Sequence, residues 1–373
     1  MTREGAYYLC SNTEGELLSG YDGVVGLSSV ANDECLWRIV GQRLHCAVGD
    51  LSLALTALNL EQKTCEVSEV SGALVLQQGP SRLPSELLAE LQSQGFTILD
   101  HVMDAEAIAQ FKKRATATRA SNHVDETPGD GFFWMMDGLS WSPELCRAVT
   151  HPVALWMMQQ YLSTEEIHTC HQPVITTAKP ADSLLGTYPE GGWHSDYPYH
   201  PGVFPNDYWP ETTHFGVQFN ICINAFEADN AATQFVPGSH FLGKGPSNEF
   251  NEGGTRMGEG IHKDVRQYIA PAGAALIYDS RTWHRACYEL NVCRKDRIAI
   301  LNAVTPAWVR PMIDKEPVKQ LYVDSDIPEA LTERERRDIK RLFNSSLLST
   351  PEGMPPLSER AAKRIKPLEK MRK

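Results

Sequence analysis

The sequence predicts a mostly β protein with flanking helices, and three observations support this prediction. Short β-rich runs recur along the chain and are separated by turns that contain glycine and proline. Helix signals are concentrated between residues 81 and 150 and again near residue 332. A hydrophobic share of 42% over 373 residues is enough to build a large core. Many short strands joined by such turns are typical of a barrel or jelly roll rather than a parallel sheet.

The first 80 residues predict a small β-rich module. Their pattern is one of short alternating segments, with turn residues between them. The clearest predicted strands are 6–10, 35–40, 43–48 and 73–77. The pairing of 35–40 with 43–48 loosely resembles a trefoil or fascin-like repeat, and an extension that only packs against the rest of the chain is the alternative.

Helix signals begin after a predicted boundary at residues 78–81. Ser85 is suited to cap a helix whose leucines lie on one face and which ends at Gly95. A strand over 96–102 follows. Asp104 and Ser142 are predicted to cap two further helices, since each precedes a helical pattern of apolar residues.

From residue 172 the pattern changes to short β-rich runs. These predicted strands are 172–178, 214–226, 233–236, 274–278 and 297–304. Thr332 and Glu335 form a capping box for a charged helix that extends to Phe343, and a basic tail follows. The predicted division is therefore 1–80, 81–325 and 326–373.

Composition excludes several classes of function. A formal net charge of -12 argues against a general nucleic-acid binder, which needs a basic face. No window approaches the 18 apolar residues of a membrane span, and no secretory signal is evident. The nine cysteines contain no C-x-x-C pair, which favours reduced thiols and predicts a cytoplasmic protein. We expect a small-molecule substrate, and the oligomeric state stays open.

A candidate metal site begins with His194 and Asp196. On an extended chain, side chains two residues apart point the same way, so an imidazole and a carboxylate can bind one ion. This pair alone is common by chance. His284 is the candidate third ligand, because it follows a buried strand and a polar turn. Two histidines and one carboxylate form the facial triad of non-heme Fe(II) oxygenases. Zinc-dependent hydrolysis on the same residues is an alternative.

An arginine downstream could hold the distal carboxylate of 2-oxoglutarate. A planar guanidinium binds a carboxylate through two parallel hydrogen bonds. Arg297, which opens a predicted strand, is suited to this role, and Arg294 is a nearby competitor that spacing alone does not exclude.

Residues 84–312 resemble the phytanoyl-CoA dioxygenase family of Fe(II)- and 2-oxoglutarate-dependent oxygenases. Three segments match in the family's order: W-H-S-D at 193–196, D-N-A-A-T-Q-F-V-P-G-S-H at 229–240, and I-Y-D-S-R-T-W-H at 277–284. Asn291 then precedes Arg297 by the family's spacing, which favours Arg297 over Arg294. One departure is Ala231, where the family usually has glycine.

The resemblance implies a double-stranded β-helix, also called a jelly-roll or cupin-like core, and it implies roles for individual residues. His194, Asp196 and His284 would bind Fe(II), and Arg297 would bind 2-oxoglutarate. Asn220 and Thr233 would also contact this co-substrate. With dioxygen as the second co-substrate, the reaction would release succinate and CO2.

The carboxylate at Asp196 favours oxidation of a C–H bond over halogenation. Halogenating relatives carry a small residue in its place, so hydroxylation is expected, with desaturation or cyclisation as related outcomes. An apolar, ring-containing metabolite from secondary metabolism is the expected substrate. Six residues would form the wall of its pocket: Phe133, Trp134, Tyr197, Tyr199, His200 and Trp209. The alternative is a catalytically silent jelly-roll protein that binds a partner through its N-terminal module.

Overall fold

The computed structural model describes most of the chain. The described residues are 6–122, 134–135, 137–170, 173–178, 193–196, 214–243, 245–246, 265–286, 291–293, 297–311 and 316–343. They form short antiparallel strands with helices packed around them, and the predicted mostly β architecture is confirmed.

The N-terminal part is an eight-stranded antiparallel sheet. Its strand order is β3-β2-β1-β4-β5-β6-β7-β8, and an added pairing of β1 with β8 closes the sheet on itself. It encloses its own core around Trp37, whose indole N–H donates to the carbonyl of Leu18 at 3.0 Å. The strands are β1 Tyr7–Ser11, β2 Leu17–Ser19, β3 Gly26–Ser28, β4 Trp37–Val40, β5 Arg43–Cys46, β6 Ser52–Asn59, β7 Thr64–Val67 and β8 Leu74–Gln78.

Six α-helices lie among the described residues: α1 Pro84–Gln94, α2 Ala105–Asn122, α3 Pro143–Val149, α4 Pro152–Leu162, α5 Glu316–Val323 and α6 Glu333–Phe343. The prediction that Ser85 caps α1 is wrong. The helix begins at Pro84 after Leu83, and Ser85 instead binds the carboxylate of Asp33, in the 3-10 turn Asp33–Cys35 before β4. The Ser85 hydroxyl therefore makes a tertiary hydrogen bond instead of the predicted N-cap bond.

The other predicted helix ends agree with the structure. The carboxylate of Asp104 accepts the Ala107 N–H at 2.8 Å, and the Ser142 hydroxyl accepts the Leu145 N–H at 3.1 Å. Thr332 and Glu335 form the reciprocal bonds of a capping box. These caps depend on residues three positions apart, which the sequence shows directly.

Two antiparallel sheets follow the helical region. The larger runs β10-β12-β18-β13-β16-β9, with β11 and β19 attached, and the smaller runs β15-β14-β17. The predicted strand 297–304 is in fact two strands, which are separated at Asn302. The strands are β9 Phe96–Leu99, β10 Trp134–Met135, β11 Ile167–Thr169, β12 Val174–Ala178, β13 Val217–Cys222, β14 Gln234–Phe235, β15 Arg266–Gln267, β16 Ala275–Asp279, β17 His284–Arg285, β18 Arg297–Leu301 and β19 Ala303–Pro306.

Strand β13 separates two cores because its side chains alternate between the faces of the larger sheet. Phe219 and Ile221 belong to the main apolar core, which includes residues of α3 and α4. Cys222 belongs to a second cluster that also contains Phe235 of the smaller sheet. We call the face of Gln218, Asn220 and Cys222 the inner face, since it looks toward the smaller sheet. Gln218 and Asn220 are polar residues at alternate positions of this fully buried strand, so they need hydrogen-bond partners within the interior.

Helix α6 binds to the N-terminal sheet and to the end of α3. The buried Arg334 donates from its backbone N–H to the carbonyl of Glu14 and from its side chain to the carbonyls of Gly15 and Thr150. Residues of β1 and β2 also belong to the main apolar core. The N-terminal sheet is therefore packed against the rest of the described structure rather than tethered to it.

The junction between α3 and α4 contains a buried neutral histidine, His151. Within the described residues, neither ring nitrogen makes a hydrogen bond. Burial, followed by the nearby charge of Arg334, lowers the pKa of His151 to about 3. In the unfolded chain its pKa returns to roughly 6.5, so the unfolded state binds more protons between these values. Folding stability from His151 is complete above about pH 6.5 and is lost as the pH falls.

We expect His151→Phe to reduce the acid sensitivity of the fold. Between pH 6.5 and pH 4.5, wild type should lose about 2 to 3 kcal/mol more unfolding free energy than the variant. Urea unfolding at the two pH values measures this difference, because other titrating groups contribute equally to both proteins. Identical pH dependence of the two proteins would contradict the assignment.

Among the described residues, no helix is long and apolar enough to cross a membrane.

Candidate metal centre

Two segments far apart in sequence meet at the predicted metal site. His194 and His284 form an antiparallel bridge with N–H to carbonyl distances of 3.0 and 2.9 Å. The Asp196 N–H donates to the carbonyl of Ser280 at 2.7 Å. Residues 193–196 are thereby held along β17 and the turn before it. These backbone hydrogen bonds position His194 and Asp196 next to His284.

The three predicted ligands converge. One ligand atom from each of His194, Asp196 and His284 can be chosen so that all lie within 4.8 Å of one another. Nε2 of His194 lies 3.9 Å from Oδ1 of Asp196, and Nε2 of His284 lies 3.8 Å from Oδ2 of the same carboxylate. The centroids of the two imidazole rings are 4.3 Å apart. Two histidine nitrogens and one carboxylate this close together match the residue set that binds Fe(II) in non-heme oxygenases.

The protonation of His284 fits a metal ligand. Its Nδ1 lies 2.9 Å from the carbonyl of Thr282, which can only accept, so Nδ1 carries the proton and Nε2 keeps a lone pair. Burial, together with the neighbouring His194, lowers the pKa of His284 to about 4. The ring is therefore neutral at pH 7, and the Thr282 carbonyl fixes the orientation that metal-binding histidines require.

Exposure differs across the ligands and shows which side of the site is closed. The side chain of His284 is 7% exposed, that of Asp196 is 23% exposed and that of His194 is 49% exposed. The site is therefore most enclosed on the side of His284.

Gln218, on the inner face of β13, orients the carboxylate ligand. Its side-chain N–H donates to Oδ2 of Asp196 at 2.7 Å. One carboxylate oxygen is thus engaged, and the other remains for a metal. This bond favours binding through a single oxygen, which leaves positions on the metal for other ligands.

Asn220 and Tyr278 form a buried polar pair next to the ligands. The side-chain N–H of Asn220 donates to the Tyr278 hydroxyl at 3.1 Å, and its carbonyl oxygen accepts the backbone N–H of Asn302. The Tyr278 hydroxyl lies 3.4 Å from Nε2 of His284. Phe235 packs against both rings, with its centroid 4.9 Å from that of Tyr278 and 5.8 Å from that of His284.

Arg297 lies on the inner face at the other end of β13. It precedes Ala299 by two residues on β18, and Ala299 is paired with Cys222. The side chain of Arg297 is buried, and its Cζ lies 4.2 Å from the centroid of the Phe226 ring. The structure therefore places a guanidinium deep in the same interior that the metal ligands face.

Thr233 is placed on the smaller sheet, just before β14. Its backbone carbonyl accepts the Tyr268 N–H at 2.8 Å. The turn that precedes it is bound by the segment before Arg297, since Asn230 forms a bridge with Asn291. Ala231, which departs from the family's glycine, has φ +63°, a left-handed conformation that favours glycine.

A buried ion pair in the turn between β16 and His284 was not predicted from the sequence. The guanidinium of Arg281 binds the carboxylate of Asp279 at 2.7 Å, and both side chains are at most 1% exposed. The Tyr161 hydroxyl donates to the same carboxylate at 2.6 Å. Burial opposes ionisation of Asp279, but the bonds and charge of Arg281 outweigh it and lower the pKa. This pair stabilises the turn that joins β16 to the ligand His284.

The sequence contained signals for these additional residues. Gln218 and Asn220 are polar residues at alternate positions of an otherwise apolar run, which indicates a polar inner face. Tyr278, Asp279 and Arg281 all lie in the segment that matched the family before His284. Their partners could not be predicted, because Tyr161 and Asp196 lie far away in sequence.

Most predicted substrate residues lie outside the described residues: Phe133, Tyr197, Tyr199, His200 and Trp209. The backbone of Trp134 is described, and it pairs with Thr176 at the edge of the larger sheet. The predicted wall of the substrate pocket therefore stays a prediction.

One family of known proteins matches this chain. The family described as phytanoyl-CoA dioxygenase (PhyH) matches residues 91–291, which is more than half of the chain. No curated protein matches the sequence.

Several crystal structures are similar to this chain. The non-heme alpha ketoglutarate dependent epimerase SnoN from nogalamycin biosynthesis has 18% identity and a TM-score of 0.43, covering 60% of this chain and 83% of its own. SnoN in complex with Fe3+, alpha ketoglutarate and nogalamycin RO has 19% identity and a TM-score of 0.44, covering 61% and 86%. The carbocyclase SnoK from the same pathway has 15% identity and a TM-score of 0.46, covering 65% and 93%. At these sequence identities and TM-scores, the similarity supports no conclusion about the activity of this chain.

The family match spans His194, Asp196 and His284, which the structure gathers at one point. The predicted Fe(II) and 2-oxoglutarate dependence agrees with that match. The chain belongs to the phytanoyl-CoA dioxygenase family of Fe(II)- and 2-oxoglutarate-dependent enzymes.

Proposed function

We propose that this protein is a 2-oxoglutarate-dependent dioxygenase that hydroxylates a C–H bond of a small, apolar or ring-containing metabolite. His194, Asp196 and His284 would hold Fe(II), and Arg297 would bind the distal carboxylate of 2-oxoglutarate. Asn220 and Thr233 would contact the same co-substrate. A bound iron would supply oxygen activation, coupled to decarboxylation of 2-oxoglutarate to succinate.

The observation that carries this proposal is the convergence of the three ligand side chains within 4.8 Å. Arg297 supports it, because the arginine lies on the inner face that also bears Gln218, the partner of Asp196. A chelating acid that also carries a second carboxylate would suit the combination of a metal site and a buried guanidinium. The protein's own contribution is to hold the ligands in a closed interior and to exclude water from it.

Hydroxylation is favoured over halogenation because a carboxylate is present at Asp196 and is oriented by Gln218. Halogenation would require that coordination position to be free for a halide. Desaturation and cyclisation begin with the same removal of hydrogen and are alternative outcomes at this site.

The larger organisation is part of the same proposal. We assign 81–325 to a double-stranded β-helix catalytic domain, supported by the apolar cluster shared between the two sheets. Residues 1–80 form the N-terminal module, and 326–373 form the charged helix and basic tail. A cytoplasmic location is supported by the eight cysteines of the described residues, all of which are free thiols.

Succinate release from 2-oxoglutarate tests the proposal. Wild type with Fe(II) and oxygen should release succinate, and His194→Ala should reduce this release to the level without protein. A substrate is identified when a candidate from a panel of ring-containing metabolites increases the release. Iron binding without any turnover would favour a silent binding protein. Hydrolytic activity with zinc and without oxygen would favour the hydrolase alternative.

A further inference from the structure

The Tyr278 hydroxyl is bonded in a way that directs its proton toward the metal site. The amide N–H of Asn220 can only donate, so the hydroxyl oxygen accepts that bond, at 3.1 Å. The hydroxyl proton must therefore be donated elsewhere. The other partner is Nε2 of His284, at 3.4 Å.

Metal binding removes that acceptor. Nδ1 of His284 donates to the Thr282 carbonyl, so Nε2 is the atom that is free to bind a metal. Once its lone pair binds the metal, Nε2 no longer accepts a proton from Tyr278. Tyr278 is only 4% exposed, and a buried hydroxyl without an acceptor is costly. An oxygen atom of a metal-bound ligand would lie in reach of this donor.

The position of Tyr278 along the inner face indicates which ligand oxygen this is. Tyr278 is paired directly with Gln218, the residue that binds Asp196. Arg297 lies beyond Cys222, at the opposite end of β13. At roughly 3.3 Å per residue, Gln218 and Cys222 are about 13 Å apart along the strand. Tyr278 therefore lies at the metal end of the interior, and Arg297 lies at the far end.

We propose that the Tyr278 hydroxyl donates a hydrogen bond to the metal-chelating end of 2-oxoglutarate, and that Asn220 orients this hydroxyl. This inference rests on the proposed function and adds a residue to it. Tyr278 binds the 2-oxo acid end of the co-substrate, whereas Arg297 binds the distal carboxylate. Asn220 then acts mainly through Tyr278.

The test uses the full chain without oxygen, loaded with Fe(II), and titrated with two acids. 2-Oxoglutarate has both ends, and 2-oxobutyrate has the chelating end without the distal carboxylate. Tyr278→Phe should weaken the binding of both acids by the same factor, about tenfold or more, since a hydrogen bond to a charged group is lost. Fe(II) binding itself should change little, and the visible charge-transfer band of the chelate should shift. Arg297→Gln should weaken the binding of 2-oxoglutarate and leave the binding of 2-oxobutyrate unchanged.

Tyr268→Phe is the matched control. Tyr268 is also 4% exposed and packs against Phe235, with ring centroids 5.2 Å apart, but it has no contact with a metal ligand among the described residues. The Tyr268→Phe variant should bind both acids as tightly as wild type does. Thermal unfolding of each variant checks its fold. If Tyr278→Phe does not fold, Asn220→Ala provides a second test, with a smaller loss that is again equal for both acids.

The outcomes separate the two proposals. If wild type with Fe(II) does not bind 2-oxoglutarate, the proposed function fails. If wild type binds it and Tyr278→Phe binds both acids as tightly as Tyr268→Phe does, the role of Tyr278 is refuted. A loss confined to 2-oxoglutarate would place Tyr278 at the distal end and would also overturn the inference.

Discussion

Asp196→Ala is expected to abolish Fe(II)-dependent succinate release. The substitution removes the carboxylate of the three-residue cluster, together with the negative charge that offsets the metal. Loss of a hydrogen-bonding partner of a ligand typically costs roughly 10- to 100-fold in metal affinity or activity, so loss of the ligand should cost more. Anaerobic Fe(II) titration and succinate assays measure both quantities.

Gln218→Leu is the matched control for this prediction. It keeps the carboxylate and removes the side-chain N–H that binds it at 2.7 Å. We expect the roughly 10- to 100-fold loss of a ligand's partner, with measurable activity remaining. Asp196→Ala keeps its backbone bond to Ser280, so its fold should be intact. A rate for Asp196→Ala at or above that of Gln218→Leu would show that Asp196 is not a ligand.

Asp279→Ala is expected to have the largest effect on stability. It leaves the guanidinium of Arg281 buried without its carboxylate, and it also removes the acceptor of the Tyr161 hydroxyl. Breaking a buried pair in this way costs about 3 to 5 kcal/mol, which is a large part of the stability of an ordinary domain. Urea unfolding monitored by tryptophan fluorescence would measure the loss.

Two variants distinguish burial from charge as the cause. Lys63→Met breaks an ion pair of similar length, 2.9 Å, in which both side chains are more than half exposed, and it should cost less than about 1 kcal/mol. The double variant Asp279→Leu with Arg281→Met leaves no buried charge and should recover much of the loss. Equal losses for Asp279→Ala and Lys63→Met would contradict the importance of burial.

Local chemistry explains which parts of the fold could be predicted. Asp104, Ser142 and Thr332 cap their helices as predicted, because a cap is formed by residues within one helical turn. Ser85 does not cap α1, because its hydroxyl binds Asp33 in the 3-10 turn before β4. Strands β2, β3, β6 and β7 were not among the predicted segments, and for β2 and β3 the reason is that three residues are too few to show an alternating pattern.

The sequence by itself determined the residue types at the site. The spacing of His194 and Asp196, the position of His284 after a buried strand, and the asparagine before Arg297 are all local patterns. They identified the family, and with it the Fe(II) and 2-oxoglutarate chemistry.

Only the tertiary structure decided how these residues act together. The bridge between His194 and His284 joins segments about ninety positions apart, and the bond from Gln218 to Asp196 crosses from one sheet to a neighbouring segment. The pairing of Gln218 with Tyr278 places a hydroxyl beside His284. Such contacts depend on strand register, which is set by packing of the whole core, and for this reason no local pattern contains them.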